Sequence, residues 1–114
     1  GAVAGVEPVA VAVVKQLDGA SDFVTVDNER GLLSFHRTEF VFVYNFSPTQ
    51  SYTDHLIPAP AGSYTTVLDS DNTEFGGQGR VDNSQKHLTK TTKQGDRLSL
   101  YLPARTAIVL RQLD

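Results

Sequence analysis

The sequence contains no cysteine and no methionine in its 114 residues. Without cysteine, neither a disulfide framework nor a thiolate metal site can form. Because methionine is missing even at position 1, we expect a processed chain or a piece of a longer one, and Gly1 is the kind of residue that tag removal leaves. The cysteine-free composition suits a reducing compartment, and we expect a cytoplasmic location.

Basic residues are also few: 10 Lys and Arg stand against 13 Asp and Glu, which gives a formal net charge of −3. Nucleic acids and anionic membranes both require a basic surface, so we expect neither as a partner. The length is that of one ordinary domain. With 39% hydrophobic and 20% charged residues, the chain can build a folded core.

Helical periodicity is weak along the whole chain, whereas short runs of β-branched and aromatic residues recur between turn-forming residues. The predicted strands lie at 33–36, 40–46, 52–57, 64–68, 98–102 and 107–110. The predicted turns and loops lie at 37–39, 47–49, 58–60, 82–84 and 94–96. This spacing without helices predicts an all-β domain, an antiparallel β-sandwich of about seven to eight strands.

The start of the chain differs from the rest. Residues 2–14 are apolar except for Glu7, a stretch too short to span a membrane as a helix and without the basic leader of a signal peptide. Valines alternate with smaller alanines over 9–13, which fits a strand or an extended connector. We assign 1–16 to a connector or a tag-derived segment, with an added strand as the alternative, and 17–114 to the β-sandwich domain.

One predicted strand is apolar on both faces. Phe40, Phe42, Tyr44 and Phe46 point to one side, and Val41 and Val43 point to the other. Residues 107–110 repeat this pattern, although an antiparallel strand normally has one wet face. Two explanations stay open: loops or the N-terminal segment cover the outer face, or that face docks on a missing partner domain.

Three histidines are the first candidates for metal or catalytic chemistry. His36, His55 and His87 lie in different segments, and none has a ligand neighbour at helical spacing. By strand alternation His36 falls on the polar side, and we expect all three histidines to be exposed to solvent. A strained G-x-S-x-G turn that would expose a nucleophilic serine is also absent.

Residues 68–80 combine acidic and glycine-rich stretches. Carboxylates alternate over 69–72 as in calcium loops, but Thr73 and Glu74 break the EF-hand pattern. We therefore expect a polar turn in which Asp side chains bond backbone N–H groups. No helix pattern follows the glycines of 74–80, so they are expected to allow positive φ or a close backbone approach rather than to bind phosphate.

No catalytic, cofactor-binding or metal site is therefore predicted within this chain. A glycosidase needs two carboxylates facing each other across a cleft, which a small sandwich does not supply by itself. Several aromatic rings have the chemistry to stack on sugars, although core packing is the commoner fate of rings on strands. These residues are Tyr44, Tyr52, Tyr64, Tyr101 and Phe75.

Five stretches, taken in order, resemble the C-terminal β-domain of the α-amylase superfamily, and in detail that of the 1,4-α-glucan branching enzymes. They are FVFVYNFSP at 40–48, SYTD at 51–54, VLDSD at 67–71, FGGQGRVD at 75–82 and LYLPARTA at 100–107. The resemblance covers about 32–110, and the residues before Gly31 cannot be matched one by one.

The resemblance implies a β-sandwich packed against a (β/α)₈ barrel that cleaves α-1,4 bonds in a glucan and forms α-1,6 branches. The family's Asp nucleophile and Glu acid/base lie in that barrel, so neither is carried over to this sequence. The implied role is non-catalytic: the domain stabilises the barrel, with α-glucan as a second candidate partner. The alternatives are an independent α-glucan-binding module, or the same domain from an α-amylase-type hydrolase.

Two local expectations accompany this interpretation. The loop from Asp69 to Asp82 should be ordered by its own Asp and Gly residues. Arg105, beside a proline at the start of a strand, should anchor a loop by bonding several carbonyl groups.

Overall fold

The structure is a computed structural model that describes residues 21–71, 77–80 and 86–113. Within these residues there are nine strands and no helix, so the predicted all-β class is confirmed. The strands are β1 (Ser21–Asp27), β2 (Leu32–Arg37), β3 (Phe40–Asn45), β4 (Tyr52–Pro58), β5 (Ser63–Asp69), β6 (Lys86–Leu88), β7 (Lys90–Thr92), β8 (Gly95–Leu102) and β9 (Thr106–Leu113). The described residues thus contain no helix able to cross a membrane.

The strands form two antiparallel sheets, which confirms the predicted sandwich. The larger sheet has the order β1-β2-β3-β9-β5-β6, and the smaller has the order β4-β8-β7. The sequence predicted about seven to eight strands. Three observed strands, β1, β6 and β7, lie where the sequence predicted none. β6 and β7 have three residues each and are mostly polar. Such short strands depend on hydrogen bonds to a neighbour rather than on an apolar pattern of their own.

The core lies between the inner faces of the two sheets. In the larger sheet, Val41 and Val43 lie opposite Leu110 and Ile108, and all four side chains are buried. The cluster comprises Leu32, Val41, Val43, Ile57, Ala59, Tyr64, Leu98, Leu100, Leu102, Ile108 and Leu110. Each fully buried valine, leucine or isoleucine side chain stabilises the fold by about 1.5–3 kcal/mol relative to an exposed one.

Tyr64 is the largest fully buried side chain of this core. Its hydroxyl donates a hydrogen bond of 2.8 Å to the carbonyl of Pro60. Burial raises the pKa of Tyr64 to about 12. Its ring is therefore a packing element with a satisfied polar tip, and it is not a sugar-stacking surface.

The orientation of β2 corrects one prediction. His36 was expected on the solvent side, but it pairs with Val41, and Ser34 pairs with Val43, so both polar side chains share the inner face. The His36 side chain is only 12% exposed. The reason is register: β3 directs its valines inward, and residues directly opposite on paired strands share a face. Leu33 therefore faces outward despite being apolar.

Asn45 joins the two sheets at the end of β3. Its side-chain amide donates hydrogen bonds of 3.0 Å to the carbonyls of Leu102, in the smaller sheet, and Gln50. Its Oδ1 accepts a bond from the N–H of Ser47. A buried amide with all these partners fixes the direction in which the chain leaves β3.

The predicted turns at 37–39, 47–49 and 58–60 lie between strands, except that Arg37 ends β2 and Pro58 ends β4. The turn predicted at 94–96 is displaced, because β8 begins at Gly95 and the turn residues are 93–94. The turn at 37–39 connects β2 and β3, and Thr38 takes a φ of 56° there. The predicted turn at 82–84 and the segment 1–16 lie outside the described residues. The division of the chain into 1–16 and 17–114 therefore stays a prediction.

Candidate functional site

The outer side of the larger sheet carries a row of aromatic rings, which we name the aromatic face: Phe35, Phe40, Phe42, Tyr44 and Phe46. The rings of Phe35 and Phe42 stack with centroids 4.9 Å apart. Those of Tyr44 and Phe46 lie 5.7 Å apart and are parallel within 8°. These rings alternate with the inward valines of β3, so the predicted two-sided strand is confirmed.

Apolar residues of the neighbouring strands extend the aromatic face on both sides. Opposite its rings in the register lie Leu33 and Val109, and Leu68 follows on β5. Leu68 is 50% exposed. A solvated outer face would carry polar side chains at such positions. Leu33 is buried, and the residues of this apolar surface that are exposed to solvent are Phe46 and Leu68.

The aromatic face is closed at its centre and open at one end. Phe35 is buried, whereas Phe46 is 39% exposed. Tyr44 lies between these extremes, and burial raises the pKa of its hydroxyl. The open end is therefore the part of the face that is available to a partner.

A charged clasp lies beside this open end. The Asp71 carboxylate accepts two hydrogen bonds from the guanidinium of Arg80, at 3.0 and 2.8 Å, and one of 2.7 Å from the backbone N–H of Arg80. The Asp71 side chain is 5% exposed. Hydrogen bonding to the Arg80 guanidinium lowers the pKa of Asp71 to about 2.

Arg80 also links this clasp to the turn between β8 and β9. One of its guanidinium nitrogens donates a 3.1 Å hydrogen bond to the carbonyl of Ala104. The Ser70 hydroxyl accepts a hydrogen bond from the N–H of Ala107, and the Ser70 N–H donates to the Ala107 carbonyl. The predicted polar turn built on Asp side chains is therefore confirmed for its described residues.

Two glycines permit this geometry. A Cβ on Gly77 would overlap the backbone of Asp71, and Gly79 has a φ of 69°. Both observations confirm the expected roles of close approach and positive φ. Asp71 is occupied by Arg80, which argues against the calcium interpretation of 69–72. The remaining residues of that pattern, 72–76, lie outside the described residues.

Arg105 was expected to anchor a loop, and this prediction is wrong. Its backbone N–H donates to the carbonyl of Ser47, but its exposed side chain makes no hydrogen bond or ion pair with any described residue. The anchoring guanidinium is that of Arg80. Both residues precede or follow short turn sequences, so residue type alone did not distinguish them.

Two shallow cavities meet at Arg105. One, of about 260 Å³, borders Tyr44, Phe46 and Ala107. The other, of about 350 Å³, borders Asp71 and Arg80. Arg105 and Ser70 line both cavities, so the end of the aromatic face continues directly into a polar surface.

The profile of the α-amylase C-terminal all-β domain matches residues 23–112. The chain belongs to this family. Curated relatives named 1,4-α-glucan-branching enzyme share this stretch. The relative from Eremothecium gossypii is 42% identical over 102 residues, or 84% of the chain, and that from Candida glabrata is 43% identical over 83 residues, or 69%. The Saccharomyces cerevisiae relative is 36% identical over 101 residues, or 84% of the chain.

This amylase C-terminal domain spans only 12–14% of the length of those three relatives. The motifs that carried the resemblance now have structural roles. The first motif supplies β3, with both its faces, and Phe46 beyond it; the aspartate of VLDSD and the arginine of FGGQGRVD meet as Asp71 and Arg80. The family assignment inferred from the sequence is therefore confirmed.

The histidines do not assemble into a site within the described part of this amylase C-terminal domain. His36 Nδ1 lies 2.6 Å from Asp22 Oδ1, and its Nε2 is buried without a described partner. Burial, together with the nearby Arg30, lowers the pKa of His55. Among the described residues, no group of three or more metal-ligating side chains occurs.

The five aromatic candidates for sugar stacking are also dispersed. Tyr64 is in the core, Tyr52 packs against it, and Tyr101 is 41% exposed on the smaller sheet. Tyr44 belongs to the aromatic face, and Phe75 lies outside the described residues. Phe46 was not among these candidates, because a ring at the end of an apolar strand gives no sign of being exposed.

Proposed function

We propose that this chain is the non-catalytic C-terminal domain of a 1,4-α-glucan branching enzyme and that it stabilises the catalytic (β/α)₈ barrel. The parent enzyme would cleave α-1,4 bonds in glycogen or starch and form α-1,6 bonds. Support comes from relatives that carry this enzyme name and are 36–43% identical. The proposal includes a cytoplasmic location, which the cysteine-free composition suits.

The aromatic face carries this proposal. The outer side of a free sandwich is normally polar, and the exposed end of this face at Phe46 is the kind of apolar surface that marks an interface. The catalytic part of a parent chain is a suitable occupant, because interdomain surfaces combine an apolar centre with a polar rim. We therefore assign the aromatic face to docking on that part.

The first test is the reading frame upstream of residue 1. The proposal requires a barrel-length coding sequence joined to it, and a frame that lacks one contradicts the proposal. The second test is activity: the purified 114-residue chain should neither branch nor hydrolyse amylose. Branching measured by iodine staining, or reducing ends released from amylose, would contradict the non-catalytic role.

The docking surface is tested in the full-length enzyme with Phe46→Ser, and Leu56→Ser as its control. Both residues are exposed, at 39% and 48%, but Leu56 lies on the smaller sheet. Phe46→Ser should lower the temperature at which half the branching activity is lost by several degrees. The control should leave that temperature unchanged, and equal effects would remove the aromatic face from the interface.

A second candidate function is an independent α-glucan-binding module. It requires at least two exposed and roughly coplanar rings; the rings of Tyr44 and Phe46 are parallel, but Phe46 is exposed whereas Tyr44 is half-buried. Affinity electrophoresis of the chain in amylopectin gels distinguishes the two functions. Retardation that Phe46→Ser abolishes would support the module, and migration equal to that in a glucan-free gel would contradict it. A hydrolase parent is distinguished by the sequence of its barrel.

A further inference from the structure

Arg105 differs from three other arginines of the domain in having no described partner. Arg30, Arg80 and Arg111 form ion pairs at 2.7–2.8 Å with aspartate or glutamate. The Arg105 side chain makes no hydrogen bond or ion pair with a described residue, and it is exposed. All five of its N–H donors are therefore available to an acceptor outside the described residues.

The backbone at Arg105 does not favour an arginine. Its φ is 57°, in the left-handed region where a residue with a Cβ is disfavoured and glycine is not. The turn itself is held by the backbone bond from the Arg105 N–H to Ser47 and by the Thr106 hydroxyl, which bonds the carbonyl of Ala104. Neither contact uses the guanidinium, so the side chain has no role in forming the turn.

The position of Arg105 relates it to the aromatic face. It lines the cavity that Tyr44 and Phe46 border, at the open end of that face. A partner domain seated on the rings would cover Arg105 at the rim. A guanidinium that loses water in this way requires an acceptor, and a carboxylate matches its fork of donors with two parallel bonds.

We infer that Arg105 forms an interdomain ion pair with an aspartate or glutamate of the catalytic part of the branching enzyme chain. This inference rests on the proposed function, since it takes that part as the occupant of the aromatic face. The occupant follows from length and chemistry: the relatives extend far beyond the 12–14% that this domain spans, and the surface is apolar with a cation at its rim.

A glucan chain fits the same surface less well. It is neutral and requires hydrogen-bonding side chains along both edges of a ring platform, whereas Tyr44, at the open end, has Leu33 and Ala107 beside it in the register. A carboxylate neutralises the positive charge of the Arg105 guanidinium, whereas a neutral sugar hydroxyl can only accept a hydrogen bond from it.

The experiment measures the half-life of branching activity near the midpoint of thermal inactivation in the full-length enzyme, at low and high NaCl. The variants are Arg105→Glu, Arg105→Lys and the control Lys93→Glu, which makes the same charge change on an exposed turn of the smaller sheet. Arg105→Glu should shorten the half-life about tenfold at low salt, Arg105→Lys by less, and the control not at all. High salt should reduce the difference.

Unfolding of the isolated chain tests whether the substitutions at 105 change the stability of the domain itself. Its urea midpoint should be the same with arginine and glutamate at 105, and Arg105→Gln replaces the glutamate variant if that variant does not fold. Equal half-lives for Arg105→Glu and Lys93→Glu would overturn the ion pair. Loss of retardation in amylopectin gels without a change in half-life would also overturn it, in favour of a sugar contact. The Phe46→Ser experiment does not involve Arg105. The docking proposal is therefore tested separately and is not contradicted by either of these two outcomes.

Discussion

The carboxylate of Asp71 and the guanidinium of Arg80 face each other across nine residues of chain, joined by two hydrogen bonds of 3.0 and 2.8 Å. The same carboxylate accepts backbone N–H groups of the segment that returns to it. Arg80 in turn reaches the carbonyl of Ala104. One buried carboxylate thus orders a loop and attaches it to the turn before β9.

Replacing Asp71 with alanine should lower the free energy of unfolding by about 2 kcal/mol, because Arg80 and several N–H groups lose their acceptor. The loss stays below that of a fully buried pair, since the Arg80 side chain is 31% exposed and water can replace part of the contact. Urea unfolding followed by circular dichroism measures it. The exposed pair of Glu39 and Arg111 provides the control, and Glu39→Ala should cost under about 1 kcal/mol.

The same carboxylate predicts a pH dependence. The folded-state pKa of Asp71 is about 2, below the ordinary value of 3.8, so the folded state binds its proton more weakly than the unfolded state. This contribution to stability is present above about pH 4 and is lost as the pH falls through the folded pKa. As the pH is lowered from 6 to 2, the urea midpoint should therefore fall more steeply for the natural chain than for Asp71→Asn. Parallel curves would refute the assignment.

Gly77→Ala should destabilise the domain by about 2 kcal/mol or more, because the added Cβ would overlap the backbone of Asp71 and force the loop apart. The thermal unfolding midpoint measures the effect. Lys93→Ala, on an exposed turn, is the control and should change little. An unchanged midpoint for Gly77→Ala would mean that the loop does not pack against Asp71 in this way.

Arg105→Gly should stabilise the isolated chain by about 1 kcal/mol, because glycine adopts the φ of 57° at this position without a Cβ clash. Arg105→Ala retains the Cβ and should give no gain, which separates backbone strain from loss of charge. Urea midpoints of the two variants make the comparison. If Arg105→Gly is less stable than Arg105→Ala, the backbone at position 105 is not strained.

The alternation of Phe40–Phe46 was sufficient to predict a strand with two apolar faces, and its register with β9 confirms this. The same reasoning misplaced His36. Period-two alternation assigns residues to two sides of a strand, but it does not say which side faces the core when both sides are mixed. That choice was made by pairing with Val41, a neighbour that the sequence pattern of β2 does not contain.

The roles of the two arginines separate in the same way. Composition predicted a polar loop and an anchoring guanidinium, but the anchor is Arg80, which folds back on Asp71, and Arg105 is left without a described partner. Which cation meets a carboxylate depends on distances between segments far apart in the chain. Residue type limits the possible contacts without selecting among them.

By itself, the sequence determined the all-β class, the family and the two-sided central strand, because strand periodicity and ordered motifs are local properties of the chain. Tertiary structure decided that the aromatic face is open at Phe46, that Asp71 forms an ion pair with Arg80, and that Arg105 lies at the rim without a described partner. These outcomes depend on which strands pair and in what register, and cross-strand pairing brings together residues that no local pattern relates.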